Sequence, residues 1–132
     1  MGRHTIKIFD STLRDGAQGH GISFSIEDKM KIVRLLDDMN VDYIEAGNPG
    51  SNPKDLEFFN MIKDIKLKHS KIVAFGSTRR PNITPDEDKN LKDLISAECD
   101  IVVVFGKSWD FQVTDIIKTT LDENIEMIKD TI

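Results

Sequence analysis

The chain has 132 residues, a net charge of −5 from 18 Lys+Arg against 23 Asp+Glu, and 39% hydrophobic residues. That composition is too apolar for a disordered chain, and no apolar run nears the ~20 residues that cross a bilayer. The acidic balance disfavours nucleic acid as a partner, the single Cys99 excludes an internal disulfide, and no signal-peptide core opens the sequence, so the expected address is the cytoplasm.

Strand-like runs and helical patterns alternate along the chain, within one expected domain spanning residues 1–132. Thr5 to Asp10 reads as a first strand. Ile26, Met30, Val33, Leu36 and Met39 then recur at spacings of three and four, which puts them on one face of a helix. Ser25 is a natural N-cap for that helix, and Asn40 ends it. Asp42 to Gly47 reads as the second strand, and the turn-rich Asn48–Pro53 leads to a helix with Leu56, Phe59, Ile62 and Ile65 on its apolar stripe.

Lys71 to Gly76 is the third predicted strand, and a third helix is expected after Thr84-Pro85, with Thr84 as cap. Ile101 to Gly106 is a continuous apolar run, as expected of a parallel strand covered on both faces. Two short helical pieces follow, the second opened by Thr120-Leu121-Asp122-Glu123 and striped by Leu121, Ile125, Ile128 and Ile132. Four βα units admit either a small open parallel sheet or part of an eight-unit barrel, whose usual size is ~250 residues.

Both folds place chemistry at the carboxyl ends of the strands, and polar residues concentrate there. Asp10 to Gly19 follows the first strand, Glu45 to Gly50 ends the second, Gly76 to Arg80 the third, and Gly106 to Asp110 the fourth. A carboxylate such as Asp15 beside a guanidinium such as Arg14 suits a divalent cation and an anionic oxygen held side by side. The same two residues also suit a structural ion pair in a turn. The glycines from Gly16 to Gly21 do not make a dinucleotide fingerprint. Cys99, between Glu98 and Asp100, lacks the electropositive setting of a reactive thiol.

The string Asp10-x-Thr12-Leu13-Arg14-Asp15-Gly16-x-Gln18 resembles the entry motif of the α-isopropylmalate, homocitrate and citramalate synthases of the DRE-TIM metallolyase superfamily. Gly50-Ser51-Asn52-Pro53-Lys54-Asp55, Ala74 to Arg80 and Phe105 to Asp110 look most like the citramalate branch. The resemblance implies an α/β fold of four consecutive βα units, the N-terminal half of a TIM (β/α)8 barrel. It implies an acyltransferase that condenses acetyl-CoA with an α-keto acid, pyruvate being the choice by likeness, in branched-chain amino-acid biosynthesis. It implies that Asp15 ligates a divalent metal (Mg, Mn or Zn), that Arg14 stabilises the reacting oxygen, and that Glu45 orients Arg14.

Gln18, Arg79 and Lys107 are the candidate substrate contacts, and Asp10 and Thr12 are expected to shape the loop. The family's His-x-His metal pair has no counterpart among His4, His20 and His69, so the ligand set here is incomplete and the isolated chain is expected to be inactive. The open sheet edges of a half-barrel favour a homo-oligomer. The competing readings are a non-catalytic βα-repeat binding module and a related metal-dependent lyase or aldolase.

Overall fold

A computed structural model describes residues 5–132; His4, for which the sequence offers no partner, lies outside them. Strands β1 (Phe9–Asp10), β2 (Tyr43–Gly47), β3 (Lys71–Ser77) and β4 (Ile101–Phe105) form one sheet in the order β1-β2-β3-β4. Every pair is parallel, so each strand is followed by a segment that returns the chain to the starting edge of the sheet. Helices α1 (Ile26–Asp38), α2 (Pro53–Ile62) and α3 (Lys89–Ser96) supply the three returns between them, and α4 (Leu121–Thr131) follows β4.

The core lies between the sheet and the first three helices. Ile44, Ala46, Ile72 and Ala74 point one way from β2 and β3 and pack with Val33 of α1, Phe58, Phe59 and Ile62 of α2, and Leu91 and Leu94 of α3. Strand residues alternate faces, so Glu45, Val73 and Phe75 point the other way. The helices therefore cover one face of the sheet, and the opposite face is left to the candidate site.

Local chemistry explains the element ends. Ser25 and Asp28 form a reciprocal capping box at the start of α1. At its end, Asn40 takes φ 60°, while its amide and that of Val41 donate to Asp37 O and Leu36 O, a Schellman turn. Asp37, on the last turn of α1, accepts backbone N–H groups from Lys68, His69 and Ser70 at 2.8–2.9 Å, so one carboxylate fixes the approach to β3. In the loop after β2, Gly50 lies so close to α3 that an added Cβ would sit 2.9 Å from the backbone of Asn90.

Several expected boundaries move. The first strand pairs only at Phe9–Asp10, because β2 offers no backbone partner before Tyr43; the Asp42 carboxylate takes the Ile8 N–H instead. Pro85–Glu87 forms a separate 3-10 turn under a Thr84–Glu87 capping box, and the true cap of α3 is Asp88, whose carboxylate accepts from Asn90 N and Leu91 N. The piece before α4 is a π-helical turn at Gln112–Ile116.

Helix α4 docks by a different face from the predicted one. Asn124 and Met127 are buried, whereas Leu121, Ile125 and Ile132 are exposed. The reason is polar: Asn124 Nδ2 donates to Lys107 O, and Thr131 Oγ1 accepts from Arg79 N.

Asp37 also gives the fold an acid-sensitive fastening. Burial pushes its carboxyl pKa up, but the amides of Ser70, Lys68 and His69 outweigh burial and hold it at about 2, below the ordinary 3.8. A pKa lowered by folding adds stability that is complete above the unfolded value and lost as pH falls through the folded one. The expected result is a urea midpoint that declines as pH falls from about 4 towards about 2, with a flatter decline in Asp37→Asn. Equal slopes in the two proteins would refute the assignment.

Candidate functional site

The loop after β1 begins with an Asx turn. Asp10 accepts from Thr12 N at 3.0 Å and from Thr12 Oγ1 at 2.9 Å, and Leu13 drops into the core at 1% exposure. With Leu13 anchored, the next two side chains are presented at the carboxyl end of the sheet. Arg14 Nε donates to Glu45 Oε2 at 2.7 Å, and Arg14 Nη1 donates to Asp15 Oδ1 at 3.2 Å. The structure thus brings together the three residues that the sequence singled out from two separate strand ends.

Their environments differ. Glu45 is 2% exposed, so its charge requires a partner, and the Arg14 guanidinium supplies it. The guanidinium also stacks on Phe75, with Cζ 4.2 Å from the ring centroid, an attraction between cation and ring face. Two contacts and a stacked face fix the arginine, while Nη2 has no protein partner among the described residues. Asp15 is largely exposed, with one carboxylate oxygen on Arg14.

Beside Arg14 opens a cleft of about 250 Å³ between the loops after β1 and β2. Gln18 lines it, on a short 3-10 turn at Gly16–Gln18, as do Asn48, Ser51 and Asn52 from the second loop and Lys54 from the first turn of α2. Lys107 lies at the same end of the sheet but outside the cleft, its Nζ 4.7 Å from the Phe105 ring centroid.

Arg79 does not reach the cleft, which corrects its reading as a substrate contact. Its guanidinium is committed to Glu123 at 2.7 Å, to Asp130 at 2.8 Å and to Arg80 O at 3.1 Å, and the residue is 5% exposed. The hydrogen bond to Glu123 raises the arginine pKa further, and Arg79 in turn lowers that of Glu123. The order Thr120-Leu121-Asp122-Glu123 is that of a capping box, and Thr120 does accept from Glu123 N, but the Glu123 carboxylate is engaged by Arg79 and Asn82 N in place of the Thr120 amide.

Two residues at the cleft escape a reading by motif. Lys29 and Asp55 pair at 2.5 Å with side chains 4% and 9% exposed. A signal for them does exist, since Lys29 falls in helical register with Ile26 and Val33, and Asp55 with Phe58, Phe59 and Ile62. A charge on an apolar stripe marks a buried pair.

Among the described residues no three His, Cys, Asp or Glu side chains converge as a metal site, so Asp15 stands as a single candidate ligand. Cys99 takes no part: burial, and then the neighbouring Asp100, push its thiol up to about 12. The folded protein is therefore expected to resist iodoacetamide at pH 8 and to be labelled once urea unfolds it, as read by mass spectrometry.

A parallel sheet of βα units with its polar groups at the strands' carboxyl ends is the N-terminal portion of a TIM barrel. It matches the crystal structure of HMG-CoA lyase from Bacillus subtilis with a TM-score of 0.65 at 19% identity, over 94% of this chain and 40% of that one. The HMGL-like family profile matches residues 5–132, and the chain belongs to that family.

Within it, the chain is 54% identical over 127 residues to (R)-citramalate synthase of Geobacter sulfurreducens, covering 96% of this chain and 24% of that protein. It is 35% identical over 133 residues to 2-isopropylmalate synthase 1 of Caldanaerobacter subterraneus, covering 98% of this chain and 32% of that protein. The chain thus spans about a quarter of the length of the citramalate synthases it matches.

Proposed function

We propose that this chain is the N-terminal half-barrel of an acyltransferase that condenses acetyl-CoA with an α-keto acid, pyruvate giving citramalate. The observation that carries the reading is the fixed Arg14–Glu45 pair beside an open cleft, in a chain whose 54% identical relative is named (R)-citramalate synthase. A condensation of this kind builds negative charge on the keto oxygen as the carbon–carbon bond forms. Donors already aimed at that oxygen stabilise the charge without reorganising.

Arg14 meets that requirement. Glu45 and Phe75 hold its plane, and Nη2 remains for the substrate. On this reading Glu45 keeps the guanidinium from swinging out, and Gln18, which lines the cleft, hydrogen-bonds the keto acid.

The exposed carboxylate of Asp15 suits a divalent cation, together with ligands supplied from outside the described residues. Such a cation, when bound, polarises the substrate carbonyl. On this reading the 132-residue chain alone does not turn over, and the complete enzyme is a cytoplasmic homo-oligomer.

The test is to incubate the full-length protein with isotopically labelled acetyl-CoA, Mg²⁺ or Mn²⁺, and a panel of keto acids, following CoA thiol release and product mass. Citramalate formed from pyruvate supports the proposal. A protein that releases thiol with none of the panel, or that cleaves rather than forms the bond, refutes it.

A further inference from the structure

Strand β2 is irregular immediately after Glu45. Glu45 is in register with Val73 and Gly47 with Ala74, so Ala46 is an extra residue with no β3 partner. Such a bulge re-aims the side chains around it and leaves a backbone group in need of a partner. That partner comes from a helix. Lys29 Nζ of α1 crosses the core to donate to Ala46 O at 2.9 Å and to Asp55 Oδ1 of α2 at 2.5 Å. The other oxygen of Asp55 accepts from Asn48 N at 2.8 Å.

Two buried charges thus grip the backbone on both sides of Gly47. Glycine is required between them: its φ is +152°, and an added Cβ would lie 2.5 Å from the Asp55 carboxylate.

Stability alone does not call for this pair. Apolar side chains of similar volume in place of a buried ion pair are often neutral or stabilising, because charges are costly to desolvate. What apolar side chains cannot do is donate to Ala46 O and accept from Asn48 N. We infer that Lys29 and Asp55 are positioning residues: they hold the Ala46 bulge so that Glu45, one residue earlier, meets Arg14 Nε at 2.7 Å. Lys29 and Asp55 both border the cleft, but their polar atoms are engaged with Ala46 O, Asn48 N and each other, so they act through the backbone. For its activity arm the inference rests on the proposed condensation; for its geometric arm it does not.

The experiment uses the full-length protein carrying Lys29→Met and Asp55→Leu together, so that neither charge is stranded. Urea midpoints report stability, and arginine selectively labelled with ¹⁵N reports exchange of the Arg14 Nε proton with solvent. The expected result is a folded protein with a lowered midpoint, because Ala46 O and Asn48 N lose their partners, together with Nε exchange faster by tenfold or more and kcat for condensation lower by about tenfold or more with a smaller change in KM.

A folded double variant with wild-type Nε exchange overturns the inference, whatever its activity. A wild type without condensation removes the reaction reading and leaves the exchange measurement to decide. Should the double variant fail to fold, Gly47→Ala, which displaces the Asp55 carboxylate and keeps both charges, takes its place. The same faster exchange is expected there, and unchanged exchange overturns the inference.

Discussion

Arg14→Lys in the full-length protein is expected to lower kcat/KM for the proposed condensation by about 10²–10³-fold. Lysine keeps the positive charge that the buried Glu45 needs, so the fold should survive. It loses the planar fork, and with it the means to face Glu45, Asp15 and a substrate oxygen at once. Removing one preorganised donor from a developing oxyanion costs about 2.7–4 kcal/mol in well-studied cases, which is the size expected here. Arg14→Gln should add a stability loss, because it strands the Glu45 carboxylate in an apolar setting. Steady-state kinetics with a urea titration of both variants separate the two effects. Activity within a few-fold of wild type in Arg14→Lys would show that charge alone suffices and that fork geometry does not matter.

Phe58→Ala is expected to cost about 3–5 kcal/mol, the largest stability effect of any single truncation in this core. Phe58 and Phe59 are both fully buried on α2, in edge-to-face contact with centroids 5.5 Å apart. The Phe58 ring also lies 5.5 Å from Lys29 Nζ and walls the buried ion pair from the core. Truncation leaves a cavity beside two charges, so the loss combines missing apolar contact with a poorly screened pair. The measurement is the shift in urea midpoint at constant m-value. A loss under about 1 kcal/mol would mean that α2 collapses into the gap, and the rigid reading of the Lys29–Asp55 anchor would fall with it.

Helix and strand placement was legible wherever a single period dominated. Ile26, Met30 and Val33 announce α1, and the run from Ile101 to Phe105 announces β4. The Arg14–Asp15 motif and Glu45 were legible because each follows or ends a strand, and the sheet order brings β1 beside β2. What stayed hidden depends on pairs distant in sequence. Arg79 sits in a polar loop and resembles an anion-binding residue, yet its partners Glu123 and Asp130 lie 44 and 51 residues further on. The α4 stripe misled for the same reason. Periodicity finds an apolar face but does not say which face the neighbouring loops will engage, and Asn124, Thr131 and Arg79 decided that. The bulge at Ala46 left no mark in the apolar pattern of β2; its trace was Lys29 on the wrong side of a helix.

The close seating of the second loop against α3 also bears on how such a protein can be diversified. At Gly50 an added Cβ would meet the Asn90 backbone at 2.9 Å, and backbone does not yield as a flexible side chain does. Any residue larger than glycine there must shift the first turn of α3, so a library randomised at this position should be strongly enriched in glycine among folded clones. Asn48, Ser51 and Asn52 face the cleft from the same loop, and Lys54 from the first turn of α2, none of them fully buried. Selection for a differently shaped substrate therefore has a narrow corridor of permitted change, with the loop's course held constant while the surface it presents is rewritten.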